Sequence, residues 1–250
     1  MPENISDQLA DKYINHAVNL QRVTADVRSR TLGYLEQLQR DLVEQLRDND
    51  PTQPAITAFK RKRLEKLLGD TKATISTAYT KMQQASNKEI RGLVEVEGEF
   101  AVNTIDKIVK ADITSVKFTP EVINSIMSDT LIKGAPSRAW WSRQSAGLKK
   151  SFEDQMRQGV LQGEPLSTLV QRVRGKATGK RNTYWIGDKR KTFVEFKGGI
   201  MDTGTRQAEA LVRTSVQAIS NEARYQAFQQ NDDVIPVSYT HLTLPTILLV

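Results

Sequence analysis

Thr203–Gln230 reads TGTRQAEALVRTSVQAISNEARYQAFQQ. Val212, Val216, Ile219, Ala223 and Ala227 recur at steps of four and three, which places them on one face of a helix. Arg213, Gln217, Asn221 and Arg224 form a neighbouring polar stripe. The apolar face is built from small residues, and its alanines let another helix or sheet approach closely. This stretch therefore predicts a packed helix with an Arg/Asn stripe beside its buried face. The chain before it reads as helical scaffold leading to it.

Composition agrees with long, exposed helices. Of 250 residues, 38% are hydrophobic and 26% charged, which is lean for a single compact core. The net charge of +7 makes a polyanionic partner plausible and carries no information about fold. It is equally the balance of a protein kept apart by its own charge. The absence of cysteine removes disulfides and thiolate metal sites and fits a reducing cytoplasm. The start, MPENISDQLADKY, has early acids and no apolar segment, so it does not read as a signal peptide. No run approaches the ~20 apolar residues of a membrane span.

From Ile5 to Asp48, Leu9, Tyr13, Ala17, Leu20, Val23, Val27, Leu35, Leu38, Leu42 and Leu46 form a seam at three-four spacing. One long amphipathic helix is expected, about 60 Å at 1.5 Å per residue. His16, in or beside the seam, reads as a packing or solvated residue. Asn49, Asp50, Pro51 and Pro54 end the helix. Ile56, Phe59, Leu64, Leu67 and Leu68 then fit a short helix with Lys60, Arg61, Lys62 and Arg63 on its outer face. That cluster is a candidate contact for nucleic acid or an acidic partner, or a solvated face. Gly69-Asp70 is expected to break or kink the helix. A long helix follows to about Asp112, burying Ile75, Tyr79, Met82, Ile90, Leu93, Phe100, Ile105 and Ile108. Gly92 and Gly98 weaken it, each by up to ~1 kcal/mol relative to alanine. Glu95, Glu97 and Glu99 fan around it and read as solvated. Two long helices joined by a proline-rich turn predict an antiparallel hairpin or bundle.

Next, Thr119 caps a helix with Pro120 at its first position and Glu121 in its first turn, expected to end near Gly134-Ala135-Pro136. A second runs from Ser137 to about Gln162, stopped by Gly163, with Trp140 and Trp141 as core anchors rather than base-stacking platforms. Glu164-Pro165-Leu166 opens a short helix to Arg174, closed by Gly175. Beyond it, Tyr184-Trp185-Ile186 and Thr192–Phe196 flank Gly187-Asp188-Lys189-Arg190 as a β-hairpin. Arg174, Lys176, Lys180, Arg181, Lys189, Arg190, Lys191 and Lys197 crowd this segment among its aromatics. Phosphate neutralisation and base stacking use that combination, and a charged rim on an exposed hairpin has it too.

Catalytic sets lack parts. Without cysteine, and with His241 in the adapter-like tail and His16 far from any serine motif, neither Ser-His-Asp nor Cys-His arrangements have their parts. No HExxH or paired-ligand spacing suggests zinc. Gly175–Arg181 has one residue too few for a phosphate loop, follows a predicted helix, and has Arg181 where Ser or Thr should stand. The chain is expected to be neither an enzyme nor a binder of metal or cofactor.

The order Ala208, Glu209, Arg213, Thr214, Asn221, Arg224 resembles the opening helix of the phage Mu F-like head morphogenesis (minor head protein) domain. Ser215 departs from the acidic residue often found there. Trp141, Gly159, Gly163, Leu166-Ser167 and Val173 are similar to the helices that precede that domain. The resemblance covers roughly the second half of the chain. It implies a structural role at the portal vertex and in procapsid assembly, with the portal protein and capsid or scaffold components as partners, packaged DNA as a candidate contact, and no membrane. The expected location is the virion, with host cytoplasm during assembly. The alternative is a non-specific nucleic-acid-binding helical protein acting apart from a capsid.

Val237–Thr246, VSYTHLTLPT, continues no periodicity and resembles the translation of a transposase-type sequencing adapter. The family's domain would then be interrupted near Pro236, with 237–250 foreign; a genuine edge strand is the alternative. The expected organisation is a long helical hairpin or bundle over 1–115, a helical segment over 116–175, and a β-hairpin plus the domain's first helix over 176–236. The fold class is mainly α, with a small β-hairpin leading into a truncated α+β module.

Overall fold

A computed structural model describes residues 5–53, 57–110 and 112–232. Pro54, Ile56, the side chain of Ile108 and the 237–250 tail with His241 lie outside the described residues. The fold is mainly helical, with a small antiparallel hairpin near its C-terminal end, as the patterning predicts. Helix α1 (Ile5–Asp48) and helix α2 (Thr57–Val109) pack along each other. Contacts from His16 to Glu97 near one end and from Gln45 to Thr74 near the other make the pair antiparallel.

Helix α3 (Pro120–Asp129) starts at the expected cap, where Thr119 Oγ1 accepts from the Val122 amide. It stops short of the expected end. Strands β1 (Leu131–Ile132) and β2 (Ala135–Pro136) form a minimal hairpin around Lys133-Gly134, both with positive φ. A two-residue turn of that kind matches strand twist, so the chain reverses here instead of adding a helical turn. Helices α4 (Ser137–Leu161) and α5 (Leu166–Arg174) follow, then strands β3 (Gly175–Ile186) and β4 (Lys189–Gly198), then helix α6 (Ile200–Gln229). The β3–β4 hairpin is longer than its aromatic centre suggests. Its base is closed by the pairs Lys176↔Lys197 and Gly175↔Gly198.

One continuous core draws side chains from all six helices and from the β3–β4 hairpin. Val212, Val216, Ile219, Ala223 and Ala227 are buried as the period requires. Trp141 is a core anchor, while Trp140 is half-buried and donates to the Ile132 carbonyl.

Three expectations need correction. Gly69-Asp70 does not break α2, which runs unbroken for 53 residues. Leu64, Leu67, Leu68, Thr71 and Ile75 carry the buried face across the glycine without interruption, so packing overrides the local penalty. Phe59 is exposed, one turn ahead of that buried face. In α1, Leu20, Val27, Leu35, Leu38, Leu42 and Leu46 are buried, but Ala17 and Val23 are exposed. Here Tyr13, His16 and Leu20 form the inward stripe, and Ala17 and Val23 fall on its margin.

Gly98 has a use that its helix penalty hides. A Cβ there would lie 1.9 Å from the ring of Phe118, so the missing side chain admits that ring. The start of the 113–118 segment is held from two sides. Asp106 accepts from the Ile113 and Thr114 amides, while buried Asn231 accepts from the Ser115 amide and donates to the Ser115 and Ala227 carbonyls. No helix among the described residues is long and apolar enough to cross a membrane.

Candidate functional site

Two seats hold the C-terminal half on the long helices. The first lies where α1, α2 and α6 meet. Glu97 of α2 is fully buried, a correction to the solvated reading, although Glu95 and Glu99 are exposed as expected. Arg224 of α6 donates to Glu97 Oε2 from Nε at 2.6 Å, and its Nη2 lies 2.5 Å from the same oxygen. His16 Nε2 of α1 lies 2.9 Å from Glu97 Oε1. Both carboxylate oxygens are thus matched from two other helices. The His16 ring stacks on Phe100 at 3.5 Å and 8°, with Tyr13 edge-on to the same ring. Burial pushes the Tyr13 phenol above its ordinary pKa, with Arg224 lowering it and Glu97 raising it.

A buried carboxylate paired on both oxygens is a tie rather than a reagent. The Glu97 side chain is sealed from solvent. Replacing an ion pair by apolar side chains is often neutral, but removing one partner strands a buried charge at about 3–5 kcal/mol.

The second seat lies under the β3–β4 hairpin. It packs on α1, α5 and α6, with Tyr184 and Phe193 buried beneath it. Gly33 of α1 makes the approach possible: a Cβ there would sit 2.1 Å from the Trp185 carbonyl oxygen. Arg30 and Arg190 both stand over the Trp185 ring, at 5.2 and 5.0 Å. Arg40 lies 4.3 Å from the Phe193 ring centroid and donates to the Thr192 carbonyl. Arg174 covers Phe196 at 4.6 Å. Beside the hairpin, α1 and β4 enclose a cleft of about 440 Å³, lined by Glu36, Arg40, Val43, Arg47, Arg174 and Phe196 among others.

The structure distributes the sequence-derived candidates over both seats. The predicted polar stripe divides: Arg213, Gln217 and Asn221 are exposed, whereas Arg224 turns into the tie. Glu209 is engaged by Arg28 of α1 through Nε at 2.9 Å and Nη2 at 2.5 Å. Ala208 is fully buried, and Thr214 donates to the Ala210 carbonyl. Lys180, Arg181, Lys189, Arg190 and Lys191 are exposed on the hairpin, as are Lys176 and Lys197. The aromatics among them are not free for base stacking: two are buried, and arginines cover Trp185 and Phe196. Lys60, Arg61, Lys62 and Arg63 stand separately at the start of α2, with Arg61 and Lys62 exposed and Lys60 and Arg63 half-buried. Among the described residues, no group of three or more His, Asp or Glu side chains is arranged to hold a metal ion.

Glu97, His16 as its partner, and Gly33 escape sequence reasoning. Only the Arg224 position in the α6 pattern hints that a buried acid awaits it. No protein-family model matches the chain, and no curated protein or solved structure is similar to it at a significant level.

Proposed function

We propose that this chain is a structural assembly protein: a phage minor head protein of the head-morphogenesis class, docking at the portal vertex during procapsid formation. One observation carries the reading. Two charged residues of the head-morphogenesis pattern, Glu209 and Arg224, are used as ties between α6 and the long helices. Residues that brace a scaffold suit a part made for assembly. The exposed flanks of α1 and α2 offer docking surface to portal, capsid or scaffold subunits. The test is co-expression with the portal protein of its own source genome, followed by pull-down at low salt. Co-purification is expected, and its absence overturns the reading.

A second reading is favoured by the seven exposed cations of the β3–β4 hairpin, set against exposed Asp188 and half-buried Glu195. On it, the protein binds nucleic acid non-specifically in the absence of any capsid component. Log affinity for DNA should then fall linearly with log salt, at about 0.9 per phosphate neutralised. Replacing Lys189, Arg190 and Lys191 with glutamine should flatten that slope by about 2–3. Affinity unchanged between low and moderate salt removes this reading.

A further inference from the structure

Glu36 sits on α1 beneath the hairpin, half-buried against the cleft, and no hydrogen bond or ion pair reaches its carboxyl among the described residues. Its nearest cation on the same helix, Arg40, is committed elsewhere, lying over Phe193 and donating to the Thr192 carbonyl. The hairpin faces Glu36 with a second acid, Glu195, and with the buried Tyr184 phenol. From α6, Glu209 is already taken up by Arg28. Arg174, at the end of α5, lines the same cleft but covers Phe196. Farther along α1, Glu44, Arg47 and Asp48 line the cleft wall with mixed charge.

We propose that Glu36 is a proton-operated latch for the β3–β4 hairpin: protonated, it lets the hairpin seat on α1, and ionised, it loosens that seat. The hairpin and the cleft it closes are the moving part, while the α6 tie stays shut. Burial is the largest cause holding the Glu36 proton to about pH 7 instead of 4.5; Arg40 opposes it and Glu195 adds to it. A hairpin lifted from α1 leaves Glu36 in water, where it ionises near the ordinary value. The seated form therefore binds more protons between those limits, and its advantage, full at low pH, is lost as pH rises through 7. Glu195 acts oppositely, because Thr178 holds its carboxyl below the usual range, but its effect is confined to more acidic solution. Tyr184 is raised by burial and titrates above this window.

The test is amide hydrogen exchange of the full chain between pH 5.5 and 8, corrected for the intrinsic pH dependence of exchange. Protection of Thr192–Phe196 in the native sequence should fall by about tenfold or more across this range, since a tenfold difference in proton affinity between seated and lifted forms changes their ratio tenfold. Protection within α6 should not follow it. Glu36→Gln mimics the protonated form and should hold hairpin protection high throughout. Asp11→Asn, at an exposed carboxyl of the same helix outside the cleft, should behave like the native chain. The latch is overturned if native hairpin protection is flat, if the Glu36→Gln profile parallels the native one, or if α6 and the hairpin loosen together.

Discussion

The α6 seat and the hairpin seat share helix α1 and are built on opposite terms. Under α6 the buried Glu97 carboxylate is answered on both oxygens, by Arg224 and His16. Under the hairpin, backbone meets Gly33, arginines lie on ring faces, and Glu36 has no hydrogen-bond or ion-pair partner among the described residues, only the charge of Arg40 nearby. Matched burial gives a joint that fails only when a partner is removed. Unmatched burial gives one whose strength depends on solution conditions. The contrast assigns rigidity to α6 and adjustability to the hairpin.

The largest expected effect comes from breaking the matched seat. Glu97→Ala leaves Arg224 facing a buried void and should cost about 3–5 kcal/mol in urea unfolding. A loss below about 1 kcal/mol would mean that water already reaches the tie. Next is Gly33→Val, which drives a side chain into the Trp185 carbonyl and should cost about 1–3 kcal/mol. Its signature is local: hydrogen exchange should quicken in β3 while α6 keeps its protection. Equal loosening of both would erase the distinction between the seats.

Two smaller effects sharpen the comparison. Gly69 lies outside both seats, with open space where a Cβ would go. Gly69→Ala should therefore raise stability by up to about 1 kcal/mol through helix propensity. A loss there would restore the kink that local sequence suggests. Tyr79 places an unpartnered hydroxyl under the first turns of α6, near Gly204 and away from the Glu97 tie. Removing an unmatched polar atom costs little, so Tyr79→Phe should fall within about 0.5 kcal/mol of the native protein in thermal unfolding.

Much of the scaffold is legible in the sequence because its signals are local. Val212 to Ala227 mark a face by period alone, Thr119-Pro120 marks a helix start, and Gly187-Asp188 marks a turn. The sites are less legible because their signals are not local. Glu97 stands between exposed Glu95 and Glu99 and differs from them only through residues 81 and 127 positions away. Gly33 in a helix reads as a weakness until the hairpin carbonyl that requires it is placed. Arg224 stands out as part of a pattern, yet its partner cannot be named from its own helix. Glu36 looks like an ordinary member of a solvated face, because nothing in α1 announces that a hairpin will cover it.

The Arg224–Glu97 pair binds α6 to the long helices. A double-mutant cycle is the decisive experiment: unfolding free energies of the native chain, Glu97→Ala, Arg224→Ala and the double variant. Coupling above about 1 kcal/mol is expected, with the double variant much less damaged than the sum of its parts. Additive losses, with coupling under about 0.5 kcal/mol, would show that the two side chains meet without holding the helices together.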